Sequence, residues 1–135
     1  MILIDANVFM DLLEERDGLE ASAQAIELVR EKKVRGCVSA LTIPILWFLN
    51  EKRFSEEIAK KMSRTVTKGF LVVPLDSNII SKAFESKMAD FEDAIQLNSA
   101  IKSKCEFIIT RNKRDFIPEG SIKILTPEEF LAKRK

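Results

Sequence analysis

Three aspartates stand at the ends of apolar segments. Asp5 closes Met1-Ile2-Leu3-Ile4, Asp93 lies in Asp90-Phe91-Glu92-Asp93-Ala94, and Asp115 follows Thr110-Arg111-Asn112-Lys113-Arg114. The chain spreads them far apart, yet a compact fold that gathered these segment ends would bring three carboxylates together. Clustered carboxylates raise one another's pKa and resist ionising together unless a cation compensates. A divalent metal is the natural guess for such a site, because it would compensate the charge. The chain has no histidine, which removes the commonest general base, the usual neutral zinc ligand and every Ser-His or Cys-His nucleophile. Acid–base chemistry here is therefore carboxylate chemistry, and a metal-bound water is the ready nucleophile.

Each aspartate also has an ordinary structural use. Asp5 can cap a helix, with Asn7 competing for the position; Asp90 can cap another, leaving Asp93 as a first-turn acid; Asp115 can cap a turn. Helical spacing puts Asp90, Asp93, Leu97 and Ala100 on one face, so Asp93 points inward as its helix begins. A shared site is favoured by the recurrence of this placement three times, with no Gly-rich phosphate loop competing for the same edge. Thr110 and Asn112 would hydrogen-bond waters or a phosphate, since neither accepts a proton near neutral pH. Arg111, Lys113 and Arg114 could offset the repulsion of an anionic substrate. Lys52-Arg53, Lys60-Lys61 and Lys133-Arg134-Lys135 could extend that basic surface, although such runs usually belong to solvated helix faces and termini.

These residues need elements to position them. Ile2 to Ile4 is a short apolar run followed by Val8, Leu12 and Leu13 at helical spacing, which predicts strand, turn and helix. A second helix is predicted from Leu19 to Glu31, then a strand from Gly36. Ser39 begins a third helix with Leu41, Ile45, Leu46 and Leu49 inward, and Ile58, Met62 and Val66 mark a fourth between Ser55 and Thr67. Phe70 to Leu75 reads as a strand, Asp76-Ser77 as a cap for a helix carrying Ile79, Ile80, Ala83 and Phe84, and Asp90 as the start of a helix running to about Lys104. Strands follow at Glu106–Thr110 and Ile122–Leu125, with a helix from Thr126-Pro127. Alternating short apolar strands and helices predict a three-layer α/β/α sandwich with a central, mainly parallel sheet, whose ligands gather at the carboxyl ends of the strands.

Length and composition bound the rest. With 135 residues, 46% hydrophobic, the chain suits one domain over residues 1–135. The 22 basic and 21 acidic residues leave a net charge of +1, so any nucleic acid must be held by a local patch. Cys37 and Cys105 sit in apolar strand-like runs as small, reduced, buried side chains rather than nucleophiles or disulfide partners. The opening residues already read as core strand and no apolar run is long enough to span a bilayer, so a cytoplasmic protein without membrane contact is expected. Trp47-Phe48 reads as core or as the surface of a homodimer.

Taken together, Ile2-Leu3-Ile4-Asp5-Ala6-Asn7-Val8, Asp90-Phe91-Glu92-Asp93-Ala94-Ile95-Gln96 and Ile108-Ile109-Thr110-Arg111-Asn112-Lys113-Arg114-Asp115-Phe116 resemble the motifs of the PIN domain family of metal-dependent ribonucleases, which includes the VapC toxins of toxin–antitoxin modules. The resemblance covers nearly the whole chain. It implies catalytic positions at Asp5, Asp93, Asn112 and Asp115, with Mg²⁺ or Mn²⁺ on Asp5, Asp93 and Asp115; Asp90, Thr110 and Arg111 are supporting candidates from their own place beside these residues. The resemblance further implies single-stranded RNA as substrate and an antitoxin protein as partner. Two positions depart from the pattern: Ile45 stands where relatives usually carry an acid, and Asn112 where many carry Asp. Thr42 and Asp11 are the nearby polar residues considered for the missing place. The depleted site leaves a second expectation open, a catalytically weakened PIN-like domain acting as an RNA-binding or protein-interaction module. A dehalogenase-like phosphatase would need an acid where Asn7 stands.

Overall fold

A computed structural model describes residues 1–134; Lys135, the end of the basic tail, lies outside them. Five short parallel strands, β1 (Ile2–Ile4), β2 (Gly36–Ser39), β3 (Leu71–Val73), β4 (Phe107–Ile109) and β5 (Lys123–Leu125), form one sheet in the order β3-β2-β1-β4-β5. Seven α-helices accompany them among the described residues: α1 (Ala6–Leu13), α2 (Leu19–Arg30), α3 (Thr42–Arg53), α4 (Glu56–Thr67), α5 (Ser77–Glu85), α6 (Phe91–Lys102) and α7 (Pro127–Lys133).

Strand alternation sorts the core into two layers. Ile2, Ile4, Val38, Ile109 and Leu125 face a cluster completed by Val8 and Phe9 of α1, Ile26 and Val29 of α2, Leu46 of α3 and Phe130 of α7. Leu3, Cys37, Ile108 and Ile124 face the other way, onto Ile79 and Ala83 of α5 and Ile95, Leu97 and Ala100 of α6. Apolar residues on both faces are what a parallel sheet covered by helices requires. Gly36 permits the close approach of α2, since a Cβ there would lie 2.6 Å from a Val29 methyl.

The predicted caps are present. The side chains of Asp5, Asp76 and Asp90 cap α1, α5 and α6, Ser55 caps α4, and Thr126 with Glu129 forms a capping box around Pro127. Several boundaries and faces differ from those expected. Ser39 ends β2, pairing with Val73, and its hydroxyl accepts from the Leu41 amide, so α3 starts only at Thr42. In α4 the inward face carries Ala59, Ser63 and Val66, and Ile58 is exposed: helical period alone does not say which face the neighbouring α3 covers. β3 is an edge strand of three residues with Leu71 exposed, and Phe84 is 75% exposed beside Phe91.

The chain runs from β1 outward through β2 and β3, then returns to the other side of β1 with β4. Reversal of strand order between β1 and β4 opens a crevice beyond their carboxyl ends. Asp5 leaves β1, and Thr110 leaves β4, at that crevice.

Candidate active site

Asp5 is 5% exposed and fully engaged. Its Oδ1 accepts from the Ala6 amide at 2.7 Å, and its Oδ2 accepts from the Thr110 hydroxyl at 2.9 Å and from Asn7 Nδ2 at 3.3 Å. Burial nevertheless dominates and lifts its pKa above the ordinary 3.8, with Asp90 and Glu92 adding repulsion. Asn7, which the sequence offers as a rival cap, is instead a cross-brace. Its Nδ2 also donates to Thr110 Oγ1 at 3.2 Å, and its Oδ1 accepts from the Arg111 amide at 3.1 Å. Thr110 Oγ1 in turn accepts from the Asn112 amide at 3.0 Å. The loops after β1 and β4 are thus stitched together through one carboxylate.

Asp93, half-buried in the first turn of α6, accepts no hydrogen bond at its carboxyl group from any described residue. Its pKa is pushed up to about 7, by burial first and then by the charges of Asp5, Asp90, Asp115 and Glu92. Asp90 serves as the cap, accepting from the Asp93 amide at 2.9 Å. Asp5 and Asp93 line one cavity of about 300 Å³, which Glu92, Gln96 and Asn112 also border. Gln96 is 2% exposed; its Nε2 donates to the Thr42 hydroxyl at 3.0 Å while its Oε1 is buried without a donor. Its place three residues after Asp93 was the signal that could have found it.

Asp115 sits differently. It ends a 3₁₀ turn, Lys113–Asp115, is exposed and does not line the cavity, although its charge reaches Asp93. Among the described residues no three of Asp, Glu and Cys converge to hold an ion. The short turn keeps the third carboxylate at the rim. The remaining donor set still suits a hard cation: two carboxylates whose mutual repulsion a positive charge would relieve, and an orphaned amide oxygen in the same wall. Mg²⁺ commonly binds through one or two carboxylates while keeping several waters.

Ile45 lines the cavity, at the place where the resemblance leads one to look for an acid. Neither candidate replacement fills it. Thr42 is buried against Gln96, and Asp11, 2% exposed, is turned away into an ionic clasp with Arg111. Arg111 Nε donates to Asp11 Oδ2 at 2.6 Å, one terminal nitrogen donates to both oxygens of Glu128, and the other to the Gly18 carbonyl at 2.7 Å and Ser22 Oγ at 2.9 Å. Arg111 borders the cavity, as expected, but its guanidinium is also committed to holding α1, α2 and α7 together, because a buried Asp11 needs a partner. Lys113 is likewise paired, with Glu129. Arg16, with its side chain 45% exposed, borders the cavity and is held by Asp11 at 3.9 Å and by Glu14; it is a second cation beside Arg111 there, one that the sequence did not single out.

A family profile described as PIN domain matches residues 1–114. The chain belongs to the PIN domain family. No curated protein matches it by sequence. This PIN domain is similar to a solved toxin–antitoxin complex from Klebsiella pneumoniae, with a TM-score of 0.70 and 23% identity over 94% of this chain and 98% of that one. It is similar also to VapBC2 from Rickettsia felis bound to a promoter DNA fragment, with a TM-score of 0.70 and 15% identity over 92% and 98%. A third neighbour is Mycobacterium tuberculosis VapC20, a sarcin-ricin loop cleaving toxin, with a TM-score of 0.63 and 16% identity over 80% and 87%. Likeness at these identities establishes the shared α/β/α fold. No helix among the described residues is long and apolar enough to cross a membrane.

Proposed function

We propose that this PIN domain, one domain over residues 1–135, is a divalent-metal-dependent endoribonuclease acting on single-stranded RNA in the cytoplasm, the toxin of a pair restrained by an antitoxin protein. The observation that carries the reading is Asp93: a carboxyl group without a hydrogen-bond partner, raised to about 7, in one cavity with the buried Asp5. A carboxyl group that no protein group engages, beside a second carboxylate in one cavity, leaves its oxygens open to a cation. The solved toxin–antitoxin neighbours support the toxin assignment and the antitoxin partner.

Asp5, Asp93 and the Gln96 oxygen would hold Mg²⁺ or Mn²⁺, directly or through its waters. When bound, the ion supplies a water acidified toward neutral pH and a positive charge for the phosphate. Asp5 provides a rigid anchor, since three donors fix its orientation. Asp93 provides a charge that, without the metal, is only half developed at about pH 7, so protons compete with the metal around and below that. Asn112 and Arg16 border the opening, where they would meet the phosphates of an entering strand. Asp115 and Asp90 act from the rim by raising the negative potential at Asp93.

Purified protein incubated with labelled single-stranded RNA should cleave with Mn²⁺ or Mg²⁺ and not with EDTA, and Asp5→Asn and Asp93→Asn should each lower the rate about a hundredfold or more. Metal-independent cleavage, or cleavage unchanged in both variants, overturns the proposal. Ile45 in the cavity wall favours a second reading, a weakened site kept as an RNA-binding or protein-interaction module. That reading expects tight RNA or protein binding with no cleavage at any metal concentration.

A further inference from the structure

We propose that Cys37 and Cys105 form a peroxide-reactive dithiol site, with Cys105 the attacking thiol and Cys37 the resolving one. The two cysteines are 68 residues apart and no local motif joins them, yet the fold sets their sulfurs 3.5 Å apart. Cys37 lies in β2 opposite Leu3 of β1, and Cys105 lies just before β4 on the far side of β1. Their contact therefore crosses the amino edge of β1, at the end of the sheet opposite Asp5. Both thiols are free.

Access distinguishes the pair. Both are buried, Cys37 at 0% and Cys105 at 4% exposure, but only Cys105 lines a cavity of about 500 Å³, with Ile101, Lys104, Glu119 and Ile122. That cavity is larger than the one holding Asp5 and Asp93, contains neither of them and has no part in the proposed hydrolysis. Hydrogen peroxide entering it meets Cys105 first. The shared hydrogen bond favours the same order: it holds the Cys105 thiol below its ordinary value and, with burial, pushes Cys37 up.

The reaction balances with hydrogen peroxide as oxidant. The Cys105 thiolate attacks one peroxide oxygen, the O–O bond breaks, and hydroxide leaves and takes a proton, so that Cys105 becomes a sulfenic acid and one water forms. The Cys37 sulfur then attacks the Cys105 sulfur and the S–O bond breaks. The departing hydroxide takes the Cys37 proton as the second water. Both thiols are oxidised to one disulfide and the peroxide is reduced to two waters. Closing 3.5 Å to a bond of about 2 Å asks each sulfur to move about 0.7 Å. The product would tie β2 to the turn that joins α6 to β4, at the far end of the helix that carries Asp93.

The folded, full chain is treated with dilute hydrogen peroxide, quenched with an alkylating reagent and mapped by mass spectrometry. The expected result is loss of both alkylatable thiols, a cross-linked peptide pair containing Cys37 and Cys105, and recovery of both thiols with dithiothreitol. Cys37→Ala should leave Cys105 trapped as a dimedone-reactive sulfenic acid, and Cys105→Ala should leave Cys37 unmodified at the same dose. If either variant fails to fold by circular dichroism, the wild-type map decides alone. Retention of both thiols, oxidation of either to sulfinic or sulfonic acid without a cross-link, or equal reactivity of Cys37 in Cys105→Ala overturns the proposal.

Discussion

Replacing Asp93 by Asn should stabilise the metal-free protein, and more so at alkaline pH. The carboxyl group titrates at about 7 in the folded chain against an ordinary 3.8, a difference of about three units or, at 1.36 kcal/mol each, about 4 kcal/mol as a ceiling. Asp93 is only half-buried, so solvent screening reduces the realised penalty to about 1–2 kcal/mol. Against this, the neutral side chain forgoes a favourable charge at the positive end of α6, worth about 0.5 kcal/mol. The cap is untouched, because Asp90 bonds the Asp93 backbone amide. Net stabilisation at pH 8 is therefore about 1 kcal/mol, or about 3–4 °C in Tm for a chain of this size. The sign follows from the direction of the shift. The folded state holds its proton more tightly than the unfolded one, so the contribution of Asp93 is favourable at acid pH and is lost as pH rises from about 4 through about 7. The gain from Asp93→Asn should be more than twice as large at pH 8 as at pH 5. Urea unfolding in EDTA at both values measures it. No gain at pH 8, or a gain independent of pH, would refute the account of Asp93 as a charge crowded by Asp5, Asp90 and Asp115.

Mg²⁺ or Mn²⁺ should raise the Tm of the wild type and leave Asp93→Asn unmoved, as thermal scans against metal concentration would record. Ile45→Glu should tighten metal binding about tenfold, or about 1.4 kcal/mol by calorimetric titration; unchanged affinity would mean that Ile45 does not face the ion. Arg111→Ala should cost about 3 kcal/mol in denaturant unfolding, because it removes the close cationic partner of the buried Asp11 and leaves that carboxylate only the Ser22 hydroxyl at 2.6 Å and Arg16 at 3.9 Å; a loss under 1 kcal/mol would show that the clasp is not structural. Gly18→Ala should cost about 1–2 kcal/mol by the same measurement, since Gly18 has φ 87° and an added Cβ would lie 2.7 Å from the Arg111 guanidinium.

The order of elements was legible from the chain because each carries local signals. The caps at Asp5, Asp76, Asp90 and Thr126 and the apolar runs of β1 and β4 depend on neighbours a few residues away, and those neighbours are in the sequence. Asp5 and Asp93 could be named for the same reason: a strand end and a helix start are local facts, and parallel topology sends both to one edge. Faces were less legible. The period of α4 is clear in Ile58, Met62 and Val66, yet Ile58 is exposed, because which arc of a helix is covered depends on where α3 packs.

Pairing between distant residues belonged to the tertiary structure. Arg111 beside acidic positions reads as a substrate-facing cation, and only the approach of Asp11, Gly18, Ser22 and Glu128 makes it a clasp. Asn7 reads as a cap until Thr110 and Arg111, more than a hundred positions away, are set against it. Cys37 and Cys105 read as two separate buried thiols until β1 brings β2 and β4 to either side of itself. What the chain determined by itself was the inventory of groups, no histidine and carboxylates at strand and helix ends; the resemblance added Ile45 as a place where relatives carry an acid. What folding decided was which carboxylates meet. Asp5 and Asp93 share a cavity because the end of β1 and the start of α6 meet there, whereas Asp115 ends an exposed 3₁₀ turn and does not line it.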